Sequence, residues 1–250
     1  MGRMKETRVI MGMPIEIEVV DNVAQDTLEE AFAYLETVDA RFSPYRSDNE
    51  LARFNRGELA LAASSAEMQE VFALAERAKK ETGGYFNIRR TNGRVDPSGV
   101  VKGWAIRNTA ARLRAAGHQH FMVNAGGDIA VSGKSAEGKD WSVGIRNPFN
   151  ISEIVKIVYP RGKGVATSGS YIRGAHIYDP HAPEQALDEV VSITVIGPDV
   201  LAADLMATAA FAMGKRGIAF IERLPGFEGY AIDRNGVATL TSGFGAYLEK

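Results

Sequence analysis

The segment VVSITVIGPDVLAADLMATAAFAMG (residues 190–214) predicts an apolar strand that leads directly into an apolar helix. Between Asp199 and Lys215 the helix contains almost nothing polar except Asp204 and Thr208. Residues at positions i and i+4 of a helix point the same way, so these two oxygen-bearing side chains can share one small ligand. Taken alone, the segment favours a structural explanation, in which Asp204 sits in the first turn for electrostatic reasons and Thr208 bonds back to its own helix.

The rest of the chain predicts helices and short strands along its whole length. Apolar residues at helical spacing, such as Leu28, Phe32 and Leu35, indicate helices, and strict alternation, as at Ile15 and Ile17, indicates strands. The predicted helices cover 24–42, 50–55, 65–82, 197–214 and about 215–223. Residues 93–117 predict a turn that leads into a further helix, which ends at Gly117. The predicted strands cover 8–20 with a kink at Gly12, 120–133 as a hairpin, 141–148, 153–160, 164–174, 175–180, 190–198, and 229–240 as a second hairpin.

This mixture of hairpins and helices predicts an α+β fold, with mixed or antiparallel β-sheets packed against helices. The sequence shows no internal repeat, no low-complexity linker and no clean boundary between its segments. We therefore expect one unit over residues 1–250, built as a single body or as two lobes without a clear boundary.

The composition directs attention to a pocket. Hydrophobic residues make up 45% of the chain and charged residues 24%, which is ordinary for a globular protein. Lys and Arg total 29 against 31 Asp and Glu, so a net charge of -2 provides no global positive field for nucleic acid. The absence of cysteine excludes disulfides, thiolate metal sites and a cysteine nucleophile. We expect no nucleic-acid partner.

The N-terminal sequence MGRMKETRVIMGMPIEIEVV lacks the apolar core of a signal peptide and alternates like a strand from Val9 onward. No apolar run approaches the roughly 20 residues of a membrane-spanning helix. The sequence therefore predicts no membrane span, and a cytoplasmic location is the expectation.

The segment VDPSGVVKG (95–103) places Asp96, Gly99 and Lys102 at the start of a helix. The backbone N–H groups, the helix dipole and the lysine all favour a bound phosphate there. A structural role is equally open, because Asp96 can cap the helix and the glycines can serve the backbone alone. The spacing is not that of a Walker A loop.

Two further clusters lie at joints between elements. In NAGGDI (124–129) the paired glycines allow a ligand to approach the backbone, but a plain hairpin is the favoured interpretation. In ATSGSYIRGAHIYDP (166–180), His176 lies close to Asp179 and is a candidate general base, although a lone histidine is more often structural. No His–His or His–Glu pair has the spacing of a zinc site.

The carboxylate of Asp204, the hydroxyl of Thr208 and a backbone carbonyl suit a hard divalent cation such as Mg²⁺, which completes its shell with phosphate oxygens. If these groups lie beside the phosphate site predicted at 95–103, together they indicate a Mg²⁺–pyrophosphate site.

Taken in order, the segments resemble the ApbE family, the FAD:protein FMN transferases, over nearly the whole chain. The resemblance rests on MGMPIEIEV (11–19), RFSPYRSDNELARFN (41–55), GGYFN (83–87), VDPSGVVKGWAI (95–106), VNAGGDI (123–129), ATSGSY (166–171), HIYDP (176–180) and AADLMATAAFAMG (202–214). Each motif is moderately specific, and their shared order makes the resemblance strong. It implies one ApbE-like catalytic unit that binds FAD and uses Mg²⁺ to transfer FMN to a Thr or Ser hydroxyl of an acceptor protein, with release of AMP.

The resemblance also implies the residues of the site. Asp204, Thr208 and the carbonyl of Gly99 would bind Mg²⁺, and His176 is the candidate base. The residues that would contact FAD are Met11, Tyr45, Tyr85, Phe86, Asn87, Asp96, Lys102, Ile177 and Ala207. The acceptor protein would carry the family's threonine-containing motif.

The sequence departs from the family pattern at several points. Asn87 stands where an Asp is usual, Pro97-Ser98 replace Leu-Gly, and DPHAPEQA (179–186) lacks the usual Gly after Asp-Pro. The segment between Asn87 and Asp96 is shorter than usual. Two alternatives therefore stay open: a Mg²⁺-dependent FAD pyrophosphatase that gives FMN and AMP, and a non-catalytic flavin-binding protein.

Overall fold

The structure is a computed structural model that describes residues 3–21, 26–170 and 177–249. Its strands are Met4–Ile10 (β1), Met13–Val19 (β2), Phe121–Ala125 (β3), Asp128–Ser132 (β4), Val143–Asn147 (β5), Asn150–Val158 (β6), Gly164–Gly169 (β7), Val190–Gly197 (β8), Glu228–Asp233 (β9) and Ala238–Leu240 (β10). Its helices are Asp26–Phe42 (α1), Glu50–Asn55 (α2), Ala66–Glu81 (α3), Ser98–Ala115 (α4), Val200–Ala212 (α5) and Arg216–Glu222 (α6), with 3-10 turns at Leu61–Ala63 and Phe244–Tyr247.

Eight of the described strands form one sheet in the order β1-β2-β3-β4-β7-β8-β9-β10, and every neighbouring pair is antiparallel. Strands β5 and β6 pair with each other as a separate hairpin. The predicted α+β fold with antiparallel sheets is therefore confirmed.

The prediction of a single first strand with a kink at Gly12 is wrong. The segment forms a hairpin, because Met11 (φ 54°) and Gly12 (φ 72°) both adopt the left-handed conformation and reverse the chain between β1 and β2. Two positive φ values in a two-residue loop are the geometry that matches the twist of paired strands. Methionine is not a turn-forming residue, so Gly12 is the one local signal for this reversal.

The two faces of the sheet pack against different layers. Ile15, Ile17 and Val123 point toward α1, α4 and α5 and join the larger apolar core, which includes Trp104. On the opposite face, Ile129 and other residues pack with residues of the β5–β6 hairpin in a second, smaller core. Alternating side chains of one sheet thus fill two cores, as expected for a sheet covered on both faces.

Helix α5 is buried on nearly all sides, since it contacts α4, α6, β7 and β8. This position explains why its sequence is apolar around its whole circumference. Among the described helices, none combines the length and the apolar character needed to cross a membrane.

Gly164→Ala is expected to lower the free energy of unfolding by at least about 3 kcal/mol, the upper end of the usual cost of overpacking. An added Cβ would lie 2.1 Å from Val200 N and 2.3 Å from Asp199 C, and backbone atoms cannot move aside. Urea denaturation measures the effect. Gly245→Ala is the matched control, because no atom lies within 4 Å of its Cβ position; equal losses in the two variants would contradict the packing argument.

Candidate active site

An open cavity of about 830 Å³ crosses the ends of the central strands. Its wall includes the β1–β2 turn at Gly12, the β3–β4 turn at Gly126 and Gly127, and residues of α4 and α5. Nine of the predicted site residues line this cavity: Tyr85, Phe86, Asn87, Asp96, Gly99, Lys102, Ile177, Asp204 and Thr208. The structure therefore brings together segments that lie far apart in the sequence.

Two buried carboxylates and one ammonium group meet at the cavity: Lys102 and Asp204 line it, and Asp128 lies behind them against Lys102. Lys102 Nζ on α4 lies 2.5 Å from Asp128 Oδ2 on β4 and 3.5 Å from Asp204 Oδ1 on α5. Asp128 and Asp204 are 1% and 2% exposed, so their charges are almost fully removed from water. We call these three residues the charged floor.

Asp204 makes contacts outside its own helix. Its Oδ2 accepts a hydrogen bond from the backbone N–H of Gly103 at 3.2 Å, across the α4–α5 contact. Burial and the neighbouring Asp128 charge both raise the pKa of Asp204, whereas Lys102 opposes the increase. The N-cap of α5 is Asp199, whose side chain accepts from Ala202 N at 2.9 Å. The explanation that places Asp204 in the first turn for electrostatic reasons is therefore wrong, because Asp204 lies in the second turn of α5.

Thr208 follows Asp204 by one turn of α5, and both side chains line the cavity. The Thr208 hydroxyl lies 3.5 Å from the Ser168 hydroxyl on β7. The predicted i and i+4 arrangement thus places a carboxylate and a hydroxyl on the same wall of the cavity.

The start of α4 reaches the cavity at Ser98 and Gly99. Asp96 accepts from Ser98 N at 3.1 Å and from Arg90 Nη2 at 2.5 Å, so it holds the turn that precedes the helix. Burial raises the pKa of Asp96, but the bonds from Arg90 and Ser98 outweigh it and leave that pKa lowered. The N-cap of α4 is Pro97, which makes no side-chain cap bond, so Asp96 does not cap the helix but stabilises the preceding turn. Its predicted contact with FAD stays a prediction.

The predicted phosphate site at the start of α4 has fewer free backbone N–H groups than the sequence indicates. Three of the first four amide N–H groups of α4 already have acceptors: Ser98 bonds to Asp96, and Val100 and Val101 bond to the carbonyl of Pro97. Gly99 is the fourth of these positions, and an added Cβ there would lie 3.2 Å from the ring of Phe86. The Phe86 ring thus lies directly beside Gly99, whose carbonyl is the predicted metal ligand.

One side of the cavity is formed by the segment that comes directly after α3 in the chain and includes Tyr85. Tyr85 bonds through its hydroxyl to Arg216, and its ring lies edge-on to the ring of His181 at a centroid distance of 4.7 Å. His181 Nε2 lies 3.0 Å from the carbonyl of Gly83. This contact joins the Asp-Pro-His turn to the Gly-Gly turn, so the altered DPHAPEQA segment forms part of the rim.

Asp128 is a site residue that the sequence does not predict, because NAGGDI favours a plain hairpin. The hairpin is present, with Gly126 (φ 61°) and Gly127 (φ 101°) in its turn, and Asp128 is the first residue of the returning strand. Its Oδ1 accepts from Thr167 N at 3.1 Å, which fixes the carboxylate beside Lys102. The sequence signal for Asp128 is an acidic residue at the start of a buried strand, because a buried carboxylate needs a cation or hydrogen-bond donors beside it.

Other predicted residues lie apart from the cavity or outside the described chain. Met11 forms the β1–β2 turn, Tyr45 is 94% exposed, and Ala207 is buried in α5; none of the three is among the lining residues. Their contacts with FAD stay predictions. His176, the candidate base, lies outside the described residues.

The antiparallel sheet, the packed α4–α5 pair and the charged floor define an α+β protein with an oxygen-rich ligand-binding cavity. A model of the ApbE family matches residues 11–91 and 88–231. The chain belongs to the ApbE family, which confirms the resemblance drawn from its motifs.

Relatives carry the same family's activity in their names, and solved structures share the fold. A FAD:protein FMN transferase of Haemophilus influenzae is 27% identical over 285 residues, which cover 84% of this chain and 82% of the relative. One of Vibrio cholerae is 33% identical over 138 residues, 51% of this chain and 41% of the relative. The flavin transferase ApbE from Vibrio cholerae superposes with a TM-score of 0.87 at 24% identity over 99% of both chains. The ApbE protein of Thermotoga maritima superposes with a TM-score of 0.87 at 18% identity over 100% of both chains.

Proposed function

We propose that this protein is a FAD:protein FMN transferase that uses Mg²⁺ and releases AMP. The carrying observation is the charged floor, of which Lys102 and Asp204 line the cavity, in a chain whose curated relatives are named FAD:protein FMN transferases. A cavity of this size is within the usual range for cofactor sites, about 300–1,000 Å³.

The residues present fit a Mg²⁺ ion. Asp204 is a buried carboxylate whose raised pKa reflects unfavourable burial of its negative charge, and a nearby cation would relieve this cost. Asp128 Oδ2 contacts Lys102 but has no hydrogen-bond donor of good geometry among the described residues, so it keeps capacity for a further positive partner. With the Thr208 hydroxyl and the Gly99 carbonyl, Asp204 would complete an all-oxygen ligand set, which Mg²⁺ prefers.

In the transfer, a bond forms between the acceptor hydroxyl oxygen and the phosphorus on the FMN side of the FAD pyrophosphate. The bond from that phosphorus to the oxygen that leaves with AMP breaks, and the hydroxyl loses its proton. Bound Mg²⁺ would neutralise charge on the pyrophosphate oxygens. Lys102 adds a fixed positive charge at the cavity floor, and the N-terminus of α4 favours the negative phosphates.

We retain His176 as the proposed base for the acceptor hydroxyl. This proposal rests on the HIYDP motif, since the structure describes the chain again only from Ile177. His176→Ala is the direct test: a normal turnover rate in that variant would withdraw the role.

The function is tested by incubating the protein with FAD, Mg²⁺ and a polypeptide that carries the family's threonine-containing motif. Intact mass and AMP analysis separate the outcomes. An adduct of FMN mass on the polypeptide, with one AMP per adduct, supports transfer. Free FMN and AMP without an adduct would indicate a pyrophosphatase instead, and unchanged FAD a binding protein. Addition of EDTA is expected to stop AMP release.

Thr208→Val is expected to weaken Mg²⁺ binding by at least about 10-fold. Mutating a residue that only orients a metal ligand typically costs about 10-fold or more in metal affinity, and removing a ligand itself should cost at least as much. Valine keeps the branched shape, so the fold should be retained. The measurement is the Mg²⁺ concentration that gives half-maximal AMP release. Thr109→Val is the matched control, since Thr109 lies on α4 and its hydroxyl bonds to the carbonyl of Ala105 at 2.8 Å. An unchanged Mg²⁺ dependence in Thr208→Val would remove Thr208 from the metal site.

A further inference from the structure

The cavity extends well beyond the residues that are assigned to FAD and Mg²⁺. The assigned residues that line it belong to α4, α5 and the segments near residues 85–87 and 177. Part of the remaining wall comes from β2 and β3, on the opposite face of the sheet, and from the β5–β6 hairpin. This part, which we call the outer limb, is lined by Glu16, Met122, Asn124, Arg146, Ile151 and Ile154.

The position of the outer limb follows from strand alternation. On β3, the side chains of Phe121 and Val123 are buried in the helix-side core, so Met122 and Asn124 project from the other face. On β5, Val143 and Ile145 are buried, whereas Gly144 and Arg146 are exposed. The same cavity is also lined by the Gly126–Gly127 turn, which connects β3 to β4.

The hairpin side of the outer limb is unusually apolar for an exposed surface. Five of the nine large apolar side chains exposed in the described chain belong to the β5–β6 hairpin, namely Phe149, Ile151, Ile154, Val155 and Ile157. Ile151 and Ile154 are 56% and 51% exposed and face the cavity. A concentration of exposed apolar side chains beside a cavity indicates a surface that binds a partner.

The charge of the outer limb indicates the chemistry of that partner. Glu16 is paired with Lys5 at 2.9 Å, so the limb's acidic residue is already neutralised. Arg146 donates to the carbonyl of Ile151 at 3.3 Å, but it has no carboxylate partner among the described residues. The limb therefore presents one uncompensated positive charge between apolar side chains.

We propose that the outer limb binds the acceptor polypeptide as an extended segment, with apolar side chains against Ile151 and Ile154 and a carboxylate beside Arg146. The inference rests on the proposed function, which requires a polypeptide hydroxyl to reach the phosphorus above the charged floor. In phosphoryl transfer the attacking and leaving oxygens are roughly in line, so the acceptor and the departing AMP need separate approaches. A cavity with two limbs provides them: the acceptor Oγ–P bond forms from the outer limb, and AMP departs with the electron pair of the broken P–O bond.

The test uses three synthetic peptides that carry the family's threonine-containing motif and differ only in having Asp, Ala or Lys beside the threonine. Peptide binding to the FAD-loaded protein is measured in EDTA by fluorescence anisotropy, and FMN transfer is measured separately with Mg²⁺. The variants are Ile151→Ser/Ile154→Ser and Arg146→Glu. Phe149→Ser is the matched control, because Phe149 is on the same hairpin, is 58% exposed and does not line the cavity.

The wild-type protein is expected to bind the Asp peptide at least 10-fold more tightly than the Lys peptide. The Ile151→Ser/Ile154→Ser variant should weaken peptide binding at least 10-fold and raise the KM for the peptide, while the dissociation constant for FAD changes less than twofold. Arg146→Glu should reverse the preference in favour of the Lys peptide. Phe149→Ser should match the wild type.

Equal effects of Ile151→Ser/Ile154→Ser and Phe149→Ser, indifference of the wild type to peptide charge, or no peptide binding at all would each overturn the outer-limb assignment. The proposed function fails by a different result: peptide binding with FAD cleavage but no FMN adduct. The binding measurement in EDTA and the transfer measurement therefore separate the two failures.

Discussion

Asp204→Asn is expected to lower Mg²⁺-dependent AMP release by about 10³-fold or more while stabilising the metal-free protein. The amide cannot supply the negative charge that Mg²⁺ needs, but its oxygen can still accept the Gly103 N–H. Replacing a buried carboxylate removes its desolvation cost and its repulsion with Asp128. We expect the Tm in EDTA to rise by about 2–8 °C, which corresponds to a gain of about 1–2 kcal/mol in a domain of this size.

The stability gain should depend on pH in a defined direction. The pKa of Asp204 is raised in the folded state, so its contribution to folding is present at low pH and declines as pH rises above the unfolded value. The asparagine variant lacks this decline. The difference in Tm between variant and wild type should therefore grow from pH 5 to pH 8 in EDTA, and shrink when Mg²⁺ is added to the wild type.

Asp199→Ala is the matched control for this experiment. It removes the N-cap of the same helix and should cost about 1 kcal/mol of stability without changing the Mg²⁺ dependence. If Asp204→Asn keeps full activity, the metal assignment is wrong; if it loses stability at pH 8 in EDTA, the account of a strained buried carboxylate is wrong.

Lys102→Met is expected to destabilise the metal-free protein by about 3 kcal/mol at pH 8. Removing one partner of a buried ion pair usually costs about 3–5 kcal/mol of folding free energy. We expect the lower end of that range, because the Lys102 side chain is 20% exposed and part of its charge is already solvated. The substitution leaves Asp128 and Asp204 facing each other without a cation. The free energy of unfolding from urea denaturation in EDTA measures the loss, which should diminish as pH falls and Asp204, whose pKa is raised, becomes protonated.

The double variant Lys102→Met/Asp128→Asn isolates the cause. Asparagine can still accept the Thr167 N–H, so the double variant removes the unpaired charge and keeps the local hydrogen bond. Most of the lost stability should return, although FAD cleavage should not. If the double variant is as unstable as Lys102→Met, the loss comes from packing of the lysine side chain, and the electrostatic account of the charged floor fails.

Much of the fold could be predicted from local sequence signals. The spacing of Leu28, Phe32 and Leu35 predicts α1, which the structure confirms, and Asn235-Gly236 correctly marks the β9–β10 turn. The strand-to-helix segment at 190–214 is confirmed as β8 followed by α5. These patterns are readable because propensity, periodicity and turn chemistry act over a few neighbouring residues.

The first hairpin and the role of Asp128 could not be predicted in the same way. Met11 adopts a left-handed conformation that its own preferences disfavour, and it does so because β1 and β2 gain a full ladder of backbone hydrogen bonds. Asp128 joins the site only because β4 starts beside Lys102 of α4. In both cases long-range packing overrides the local pattern.

By itself, the sequence determined the family, the α+β class, and the presence of a carboxylate and a hydroxyl one turn apart on an apolar helix. Only the tertiary structure decided what that carboxylate does. Asp204 meets the N–H of Gly103, which is 101 residues away in the chain, and shares Lys102 with Asp128. The physical reason is that the pKa of a carboxylate depends on its burial and on charges within a few ångströms, and those surroundings exist only after α4, α5 and β4 have packed together.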